Sequence, residues 1–459
     1  MLYGFISVIY MISAILFIIS LAYFSQQQTS KKGNLCAISG MFFAIITTIC
    51  NNYYNTIYII VAIFLGAIVG INISKKINMT KIPQLIAILH SFVGLTAIIV
   101  GFNNFLLMIH FHHNINQLQL SEIFISIFIG TITLIGSIIA FGKLTNILSS
   151  NNYITQYKHT INIVNFIFIC VLMAFFLTIH NTKLQILILI LMIINTLFFS
   201  FTLIMGINGA DMPIVISMLN SYSGWAASAS GFILNNDLLI ITGALVGSSG
   251  AILAYLMCKG MNRSFLNIIL GGKHKKNIVI HNNIKQIYQN INIKDTINIL
   301  KTSNNIIIVP GYGLAVAQAQ YELSKIVKKL FSYNIKIKFA IHPVAGRLPG
   351  HMNVLLAEAN IPYNMVFEMN EINNNFKYTD TVIIIGANDT VNPTALENIE
   401  SPISGMPVLH VWEAKKIIIL KRSMGQGYSG IDNPLFYNKK SYMLFGDAKD
   451  NLNQILQNM

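Results

Sequence analysis

Residues 304–327 read NNIIIVPGYGLAVAQAQYELSKIV. An apolar run of β-branched residues, Ile306 to Val309, meets the turn Pro310-Gly311-Tyr312-Gly313, and a helix-like pattern begins at Leu314. β-Branched residues favour strands and glycines favour tight turns, so the stretch predicts a strand that hands over to a helix. In a βαβ unit such a turn brings backbone close to a dinucleotide's pyrophosphate, whose charge then meets the helix N-terminus. Gly311 and Gly313 fill the first two glycine positions, and Val316 stands where Gly or Ala is usual. Alone, this pattern describes a tight strand-to-helix turn of another α/β domain equally well.

Working outward, further strand-like runs occur at 335–341, 381–387, 408–412 and 416–422, with helical patterns at 314–331, about 350–360 and near 448–458. Strands alternating with helices predict a parallel α/β sheet, and a soluble Rossmann-like domain over 305–459. An NAD site places an acid roughly 20 residues beyond the glycine loop to bond the ribose 2′-OH. Here no carboxylate lies between Glu322 and Glu358. The run at 416–422 instead exits into Lys421, Arg422 and Ser423, two cations and a hydroxyl suited to phosphate oxygens. Absence of the acid and presence of this trio favour NADP, against a solvated basic turn. The loops GANDTVNP (386–393) and HPVAGRLPGH (342–351) also follow strand ends, where ligands bind in open α/β sheets. Asp389 is there as a turn former or as a titratable group beside the nucleotide.

The first half is of another kind. The chain is 54% hydrophobic and 10% charged, against roughly 25% charged for a soluble domain. Apolar segments at about 2–24, 34–52, 54–74, 84–102, 122–142, 160–180, 184–205, 212–233 and 237–258 predict a polytopic α-helical membrane domain of about nine transmembrane helices over 1–259. The first is read as a retained helix, since no basic n-region or cleavage site marks a signal. Basic residues follow the odd-numbered spans (Lys31, Lys32, Lys75, Lys76, Lys81, Lys143, Lys158, then Lys259 and Arg263). Positive residues mark the cytoplasmic side, which predicts an outside N-terminus and a cytoplasmic C-terminal domain. The net charge of +14 is thus topological, without the basic-aromatic interleaving of a nucleic-acid binder. Residues 260–304 are polar and read as a linker. The four cysteines form no CxxC pair, so neither zinc nor a disulfide framework is expected.

His90 lies inside the fourth span, where an ionisable group is costly and commonly faces a water path. It titrates near neutral pH, as a relay would, or stands as a neutral histidine bonded to a neighbouring helix. Ser137, in GSIIAFG, is a pathway hydroxyl or part of a close-packing small-residue face. Asp211 caps the eighth span or serves a domain interface. His110, His112 and His113 cluster in an outer loop without a nearby carboxylate or cysteine, and no metal site is expected.

Longer strings carry a resemblance. PGYGLAVAQAQY, IHPVAGRLPGHMNVLLAEANIPY, GANDTVNP, SPISGMPVLHVW, KRSMGQGYSG, NPLFY and MLFGDAK, with LHSFVGL, GSIIAFGKL and GADMPIVISMLNSYSGWAASASGF in the apolar half, closely resemble the beta subunit of proton-translocating NAD(P) transhydrogenase. The resemblance spans nearly the whole chain. It implies hydride transfer between NAD(H) on a partner alpha subunit and NADP(H) on this chain's C-terminal domain, coupled to proton translocation across a bacterial inner membrane. It also implies an alpha2-beta2 assembly embedded in membrane lipid. By matching position, NADP contacts fall on Gly311, Tyr312 and Gly313, on Val344, Ala345, Gly346, Arg347, Leu348 and Pro349, and on Gly386, Ala387, Asn388, Asp389 and Thr390. They continue at Gly405 and Met406, at Lys421, Arg422, Ser423, Met424, Gly425, Gln426, Gly427 and Tyr428, and at Asp447 and Ala448. The segment ending at Tyr428 corresponds to a lid, and the nucleotide lies reversed relative to an ordinary dinucleotide fold. His90 and Asn220 correspond to the proton path. The rival reading is a secondary transporter regulated by a cytoplasmic NADP-sensing domain, which would need no NAD-binding partner.

Overall fold

The computed structural model describes residues 2–24, 29–51, 56–77, 81–111, 116–145, 147–148, 158–207, 211–262, 264–269, 288–346, 350–397, 401, 403–425, 427 and 429–459. The chain divides into two compact units, one of residues 1–207 with 215–254, the other of residues 208–214 with 255–459.

Backbone polar groups in hydrocarbon find partners only within a helix or a closed barrel, and the N-terminal half is helical: α1 (Leu2–Phe24), α2 (Ser30–Asn51), α3 (Thr56–Lys76), α4 (Ile82–His110), α5 (Gln117–Leu144), α6 (Lys158–Thr178), α7 (Thr182–Met205), α8 (Met212–Ile233) and α9 (Asp237–Gly260). The expected spans at 84–102 and 122–142 are too short, because the helical bonding of α4 and α5 runs on past their apolar stretches through Asn103, Asn104 and Gln117. Among the described residues, eight of the nine are long and apolar enough to cross a membrane. The one that falls short is α8, with five serines. It turns them inward: Ser217, Ser221 and Ser228 donate to the carbonyls of Gly250, Gly247 and Ile240 on α9.

Small residues let these helices approach closely. A Cβ at Gly94 of α4 would fall 2.6 Å from the Gly130 carbonyl oxygen of α5, and one at Gly130 would fall 2.8 Å from the Gly94 oxygen. Glycines 224, 243, 247 and 250 make the same kind of contact between α8 and α9. Lys143, read as one of the topological markers, is buried. Its ammonium donates to the carbonyls of Ile204, Met205 and Ile207 at 3.1, 2.9 and 2.6 Å, closing the C-terminal end of α7. Such a cation meets orphan carbonyls and the negative end of the helix dipole.

The second unit carries α10 (Phe265–Ile269), β1 (Gln289–Asn290), α11 (Ile293–Thr302), β2 (Asn305–Pro310), α12 (Tyr312–Val316), α13 (Gln320–Ser332), β3 (Lys336–Ile341), α14 (His351–Glu358), β4 (Val366–Glu368), α15 (Met369–Ile372), β5 (Thr381–Ile385), α16 (Thr394–Glu397), β6 (Lys416–Lys421), β7 (Ser441–Phe445) and α17 (Ala448–Asn458). The polar stretch 260–304 is therefore not all connection, since β1 pairs with β7 and α11 packs on α17. Among the described residues there are seven strands, all parallel, in the order β1-β7-β6-β5-β2-β3-β4. From β2 to β7 this is the 3-2-1-4-5-6 order of a doubly wound fold, with its switch point between β2 and β5. Alternate residues feed two faces. Ile307, Val309, Val382, Ile384, Ile417, Ile419 and Met443 share one core, while Ile308, Ile383 and Ile418 meet Leu323, Ile326, Leu452 and Ile455 of α13 and α17 on the other.

Two expectations fail here. The run 408–412 is not a strand. Its backbone is satisfied by other partners: Leu409 N–H donates to the Thr390 carbonyl, and the Asn373 amide donates to the Val408 carbonyl and accepts from His410 N–H. Val408, Leu409 and Val411 are apolar because they are buried in a loop. The helix expected over 314–331 is broken at Gln318, which takes φ 50°. Ala319 N–H donates to the Leu314 carbonyl and Gln318 N–H to that of Ala315, the bond pair that ends a helix at a left-handed residue.

Overpacking a close helix contact costs about 1–3 kcal/mol. Gly130→Leu is expected to lower the thermal unfolding midpoint of the detergent-solubilised chain. Gly66→Leu on α3, where nothing lies within 4 Å of the added Cβ, leaves that midpoint unchanged.

Candidate functional site

Because every strand is parallel, the loops that follow β2, β3, β5, β6 and β7 leave from one edge of the sheet. Gly311–Gly313, His342–Gly346, Gly386–Thr390, Lys421–Gly425 and Asp447–Ala448 are these loops. The structure therefore brings most of the nucleotide-site candidates to that edge. Gly405 and Met406 sit in the long connection from β5 to β6, with Gly405 at φ +71° and its N–H on the Ala395 carbonyl. Arg347, Leu348, Pro349, Gln426 and Tyr428, like His112 and His113, lie outside the described residues.

At the switch point the loops after β2 and β5 are zipped together. Gly311 N–H donates to the Ile385 carbonyl at 2.9 Å and Gly313 N–H to the Gly386 carbonyl at 3.0 Å. A Cβ at Gly311 would lie 2.5 Å from Ala387 Cα, one at Gly313 would lie 2.6 Å from Gly386 Cα, and Gly386 itself holds φ +67°. These glycines are required by the neighbouring loop, and two of their N–H groups are already engaged. Tyr312, between them, approaches His351, with ring centroids 6.4 Å apart.

Charge gathers at the ends of β5 and β6. The Lys421 ammonium donates to the Gly425 carbonyl at 2.6 Å and stands 4.5 Å from the Phe436 ring centroid. Burial lowers its pKa from the ordinary lysine range, and the charges of Asp389 and Asp432 pull it back up. An ammonium has three donors, so this one retains capacity toward an anion, and a phosphate would favour its charged form. Arg422 and Ser423 beside it are exposed. Asp389 accepts from Ser429, whose N–H reaches Oδ2 at 3.0 Å and whose hydroxyl reaches Oδ1 at 2.7 Å. Asn433, buried, donates to the backbone and side-chain oxygens of Asn388 at 3.0 and 3.2 Å. Asp447 caps α17 by accepting from Lys449 N–H at 2.9 Å. The cations and hydroxyl at the end of β6 suit a phosphate group, while the loops after β2 and β5 offer close backbone approach with the Gly311 and Gly313 N–H groups already spent.

His342 braces the loop after β3. Val344 N–H donates to its Nδ1 at 3.2 Å, so Nε2 carries the proton and donates to the Pro407 carbonyl at 2.7 Å. Burial pushes the imidazole down to about 4, and the Pro407 bond opposes this without prevailing. Sequence reasoning passed over His342, Ser429 and Asn433. Short polar residues in glycine-rich loops read as turn formers, and nothing local shows that their partners lie some 40 or 65 residues away.

In the helical unit, His90 of α4 has its Nε2 buried with no hydrogen-bond partner among the described residues, and so has the Oγ of Ser137 on α5. Gly136, beside Ser137, lies against Leu219 of α8, the residue before Asn220. Asp211 is buried immediately before α8.

Long apolar helices and a doubly wound parallel sheet in one chain define a class: a membrane protein that carries a dinucleotide-type domain. The sequence model of the NAD(P) transhydrogenase beta subunit matches residues 6–458. Two relatives, both named NAD(P) transhydrogenase subunit beta, one from Rhodospirillum rubrum and one from a strain of that species, are each 43% identical over 458 residues, which is 98% of this chain and 98% of theirs. The chain belongs to the NAD(P) transhydrogenase beta subunit family, and as a beta subunit it implies an alpha partner.

A histidine held neutral when folded makes stability fall as the unfolded chain, with its ordinary pKa near 6.5, takes up protons. His342 should thus withdraw roughly 3 kcal/mol as pH drops from about 6.5 to about 4. In a Trp225→Phe background, unfolding followed by Trp412 fluorescence is expected to lose midpoint over that window, and to lose less of it in His342→Asn.

Proposed function

We propose that this chain holds NADP(H) on residues 305–459 and conducts protons through residues 1–259, as part of an enzyme that passes hydride between NADH on the alpha subunit and NADP⁺ here. Lys421 carries the reading: a half-buried ammonium at a strand end, beside Arg422 and Ser423, where a 2′-phosphate finds cations, while the stretch beyond the glycine loop that would supply a 2′-OH with an acid has no carboxylate between Glu322 and Glu358.

When bound, the two nicotinamides supply the hydride chemistry themselves. This chain's residues bind and orient. The loops after β2 and β5 give a backbone floor, and Lys421, Arg422 and Ser423 grip the phosphate. Positioning of this kind supplies much of the rate of a two-partner reaction.

In the membrane, His90 lies eight residues into α4, Asn220 eight residues into α8, and Ser137 seven residues before the end of α5. With the N-terminus outside and the C-terminal domain cytoplasmic, these three stand at one depth, roughly 10–12 Å from the cytoplasmic helix ends. The unpartnered Nε2 of His90 and Oγ of Ser137 support water or a proton at that level. Proton occupancy there alters the grip on NADP⁺ relative to NADPH, with Asp211 and Asp389 on the route, and the coupling is reciprocal. The assembly is an alpha2-beta2 complex in the bacterial inner membrane, with NAD(H) on the alpha subunit.

Calorimetry on the full chain in detergent should show NADPH binding far more tightly than NADH, with Lys421→Ala and Arg422→Ala together weakening NADPH at least tenfold and NADH hardly at all. Equal affinity for the two nucleotides would overturn the assignment. In vesicles reconstituted with the alpha subunit, His90→Ala is expected to retain NADPH binding and lose proton uptake; normal uptake would remove His90 from the path.

A further inference from the structure

We infer that the edge of the parallel sheet opposite the strand-end loops docks on an anionic phospholipid surface, that of the bilayer in which the chain is itself embedded. The inference needs the membrane helices but not the nucleotide.

Lysines stand where the strands begin. Lys301 comes just before β2, Lys336 opens β3, Lys377 precedes β5, Lys416 opens β6, and Lys439 and Lys440 lead into β7. They come from five segments, and a sheet whose strands all run one way sets them along one edge. All six are exposed, and none forms an ion pair among the described residues. The acids nearby do not offset them. Asp380 is taken by Lys415 at 2.8 Å and by the N–H groups of Asn304 and Asn305, and Glu413 keeps one carboxylate oxygen buried.

Two ordinary reasons for such lysines fall short. Cations favour helix C-termini, but of the six only Lys301 stands in the last turn of an α-helix. Lysines also guard unpaired strands against aggregation, but β3, β6 and β7 are each paired on both sides. Neither reason accounts for the aromatic rings that share the edge. Phe331 in the last turn of α13, Tyr333 just after it and Tyr378 before β5 are 60%, 47% and 77% exposed. Lys301 Nζ lies 5.7 Å from the centroid of the Tyr333 ring. Aromatic rings favour the membrane–water interface, and lysines are drawn to anionic headgroups. Rings and cations on one edge suit a surface that is negative on top and apolar beneath.

Single-stranded nucleic acid also takes cations and rings, but the connection between the two units favours lipid. Residues 261–288 lead from α9 into β1, whose Gln289 pairs with Tyr442, two residues beyond Lys440. The chain thus enters the sheet from the membrane helices at this same edge. Such a tether holds lipid at a high effective concentration that a free polyanion lacks.

In the full-length chain carrying Trp225→Phe and Trp412→Phe, a Tyr378→Trp reporter can be read in lipid nanodiscs with a nitroxide on the headgroup. Quenching is expected to be at least twofold stronger in discs of phosphatidylcholine with phosphatidylglycerol than in phosphatidylcholine alone. It should fall to the neutral-disc level at high salt, since exposed charges are screened beyond ~10 Å already at 0.1 M. Lys416→Glu, Lys439→Glu and Lys440→Glu together should abolish the difference and leave the unfolding midpoint at the parent's value. Equal quenching in the two discs, or a difference that survives the three reversals, would overturn the inference. So would a reporter unquenched in both discs that shifts to the blue only on addition of the alpha subunit or a single-stranded oligonucleotide, which would assign the edge to that partner. The lipid and salt arms need no lysine variant, so the test stands even where the triple variant fails to fold.

Discussion

A parallel sheet sends every strand out through the same edge, and the second unit depends on that constraint. Residues far apart in the chain, from Gly311 to Asp447, meet only because seven strands point one way and the order reverses between β2 and β5. The edge is then cross-braced by side chains: His342 to Pro407, Asn373 to the backbone of Val408 and His410, Asn433 to Asn388, Ser429 to Asp389. Loops have no ladder of their own, so their backbone groups need such partners. Bracing from side chains keeps the loops in place while leaving each tie individually breakable. The opposite edge is held differently. There Asp380 takes the Lys415 ammonium and the N–H groups of Asn304 and Asn305, and the ion pair first, then those bonds, holds its carboxyl below the usual range against its own burial.

Glycine serves both units for one physical reason, the removal of a Cβ from a backbone contact, with different results. Between α4 and α5, and between α8 and α9, it lets helices touch where lipid gives no hydrophobic drive to associate. At Gly311, Gly313 and Gly386 it lets two strand-end loops close on each other. The same loop pattern in an ordinary dinucleotide fold turns its N–H groups to the phosphates. Here two of them are spent between the loops, and the cations Lys421 and Arg422 stand instead at the end of β6.

Much of the fold was legible. Among the described residues the long helices were readable from hydropathy, α8 the least clearly, because hydrocarbon permits so few alternatives, and β2, β3, β5 and β6 from apolar runs bounded by turns. What escaped was short or bonded at long range. β1 and β4, of two and three residues, carry too little pattern to register, and β7 (Ser441–Phe445) went unread because it opens on Ser441 and Tyr442 and leaves only Met443 to Phe445 as an apolar run. The run 408–412 misled because buried loops and buried strands need the same apolar side chains. Of the site, Lys421, Arg422 and Asp389 stood out by charge. Ser429, Asn433 and His342 did not, since a hydroxyl or amide in a loop is most often bonded within a few residues.

Lys143 has a consequence for how the protein is made. Its ammonium rests on carbonyls that lie roughly sixty residues further along the chain. At about 5–20 residues per second, the synthesis of α5 precedes its electrostatic partner by several seconds. During that interval the charge must stay near the aqueous interface or be met by the insertion machinery. Lys143 stands one residue from the C-terminal end of α5, where water can serve the charge, so the tie that joins α5 to α7 closes only after α7 has emerged, a late step in the making of the bundle.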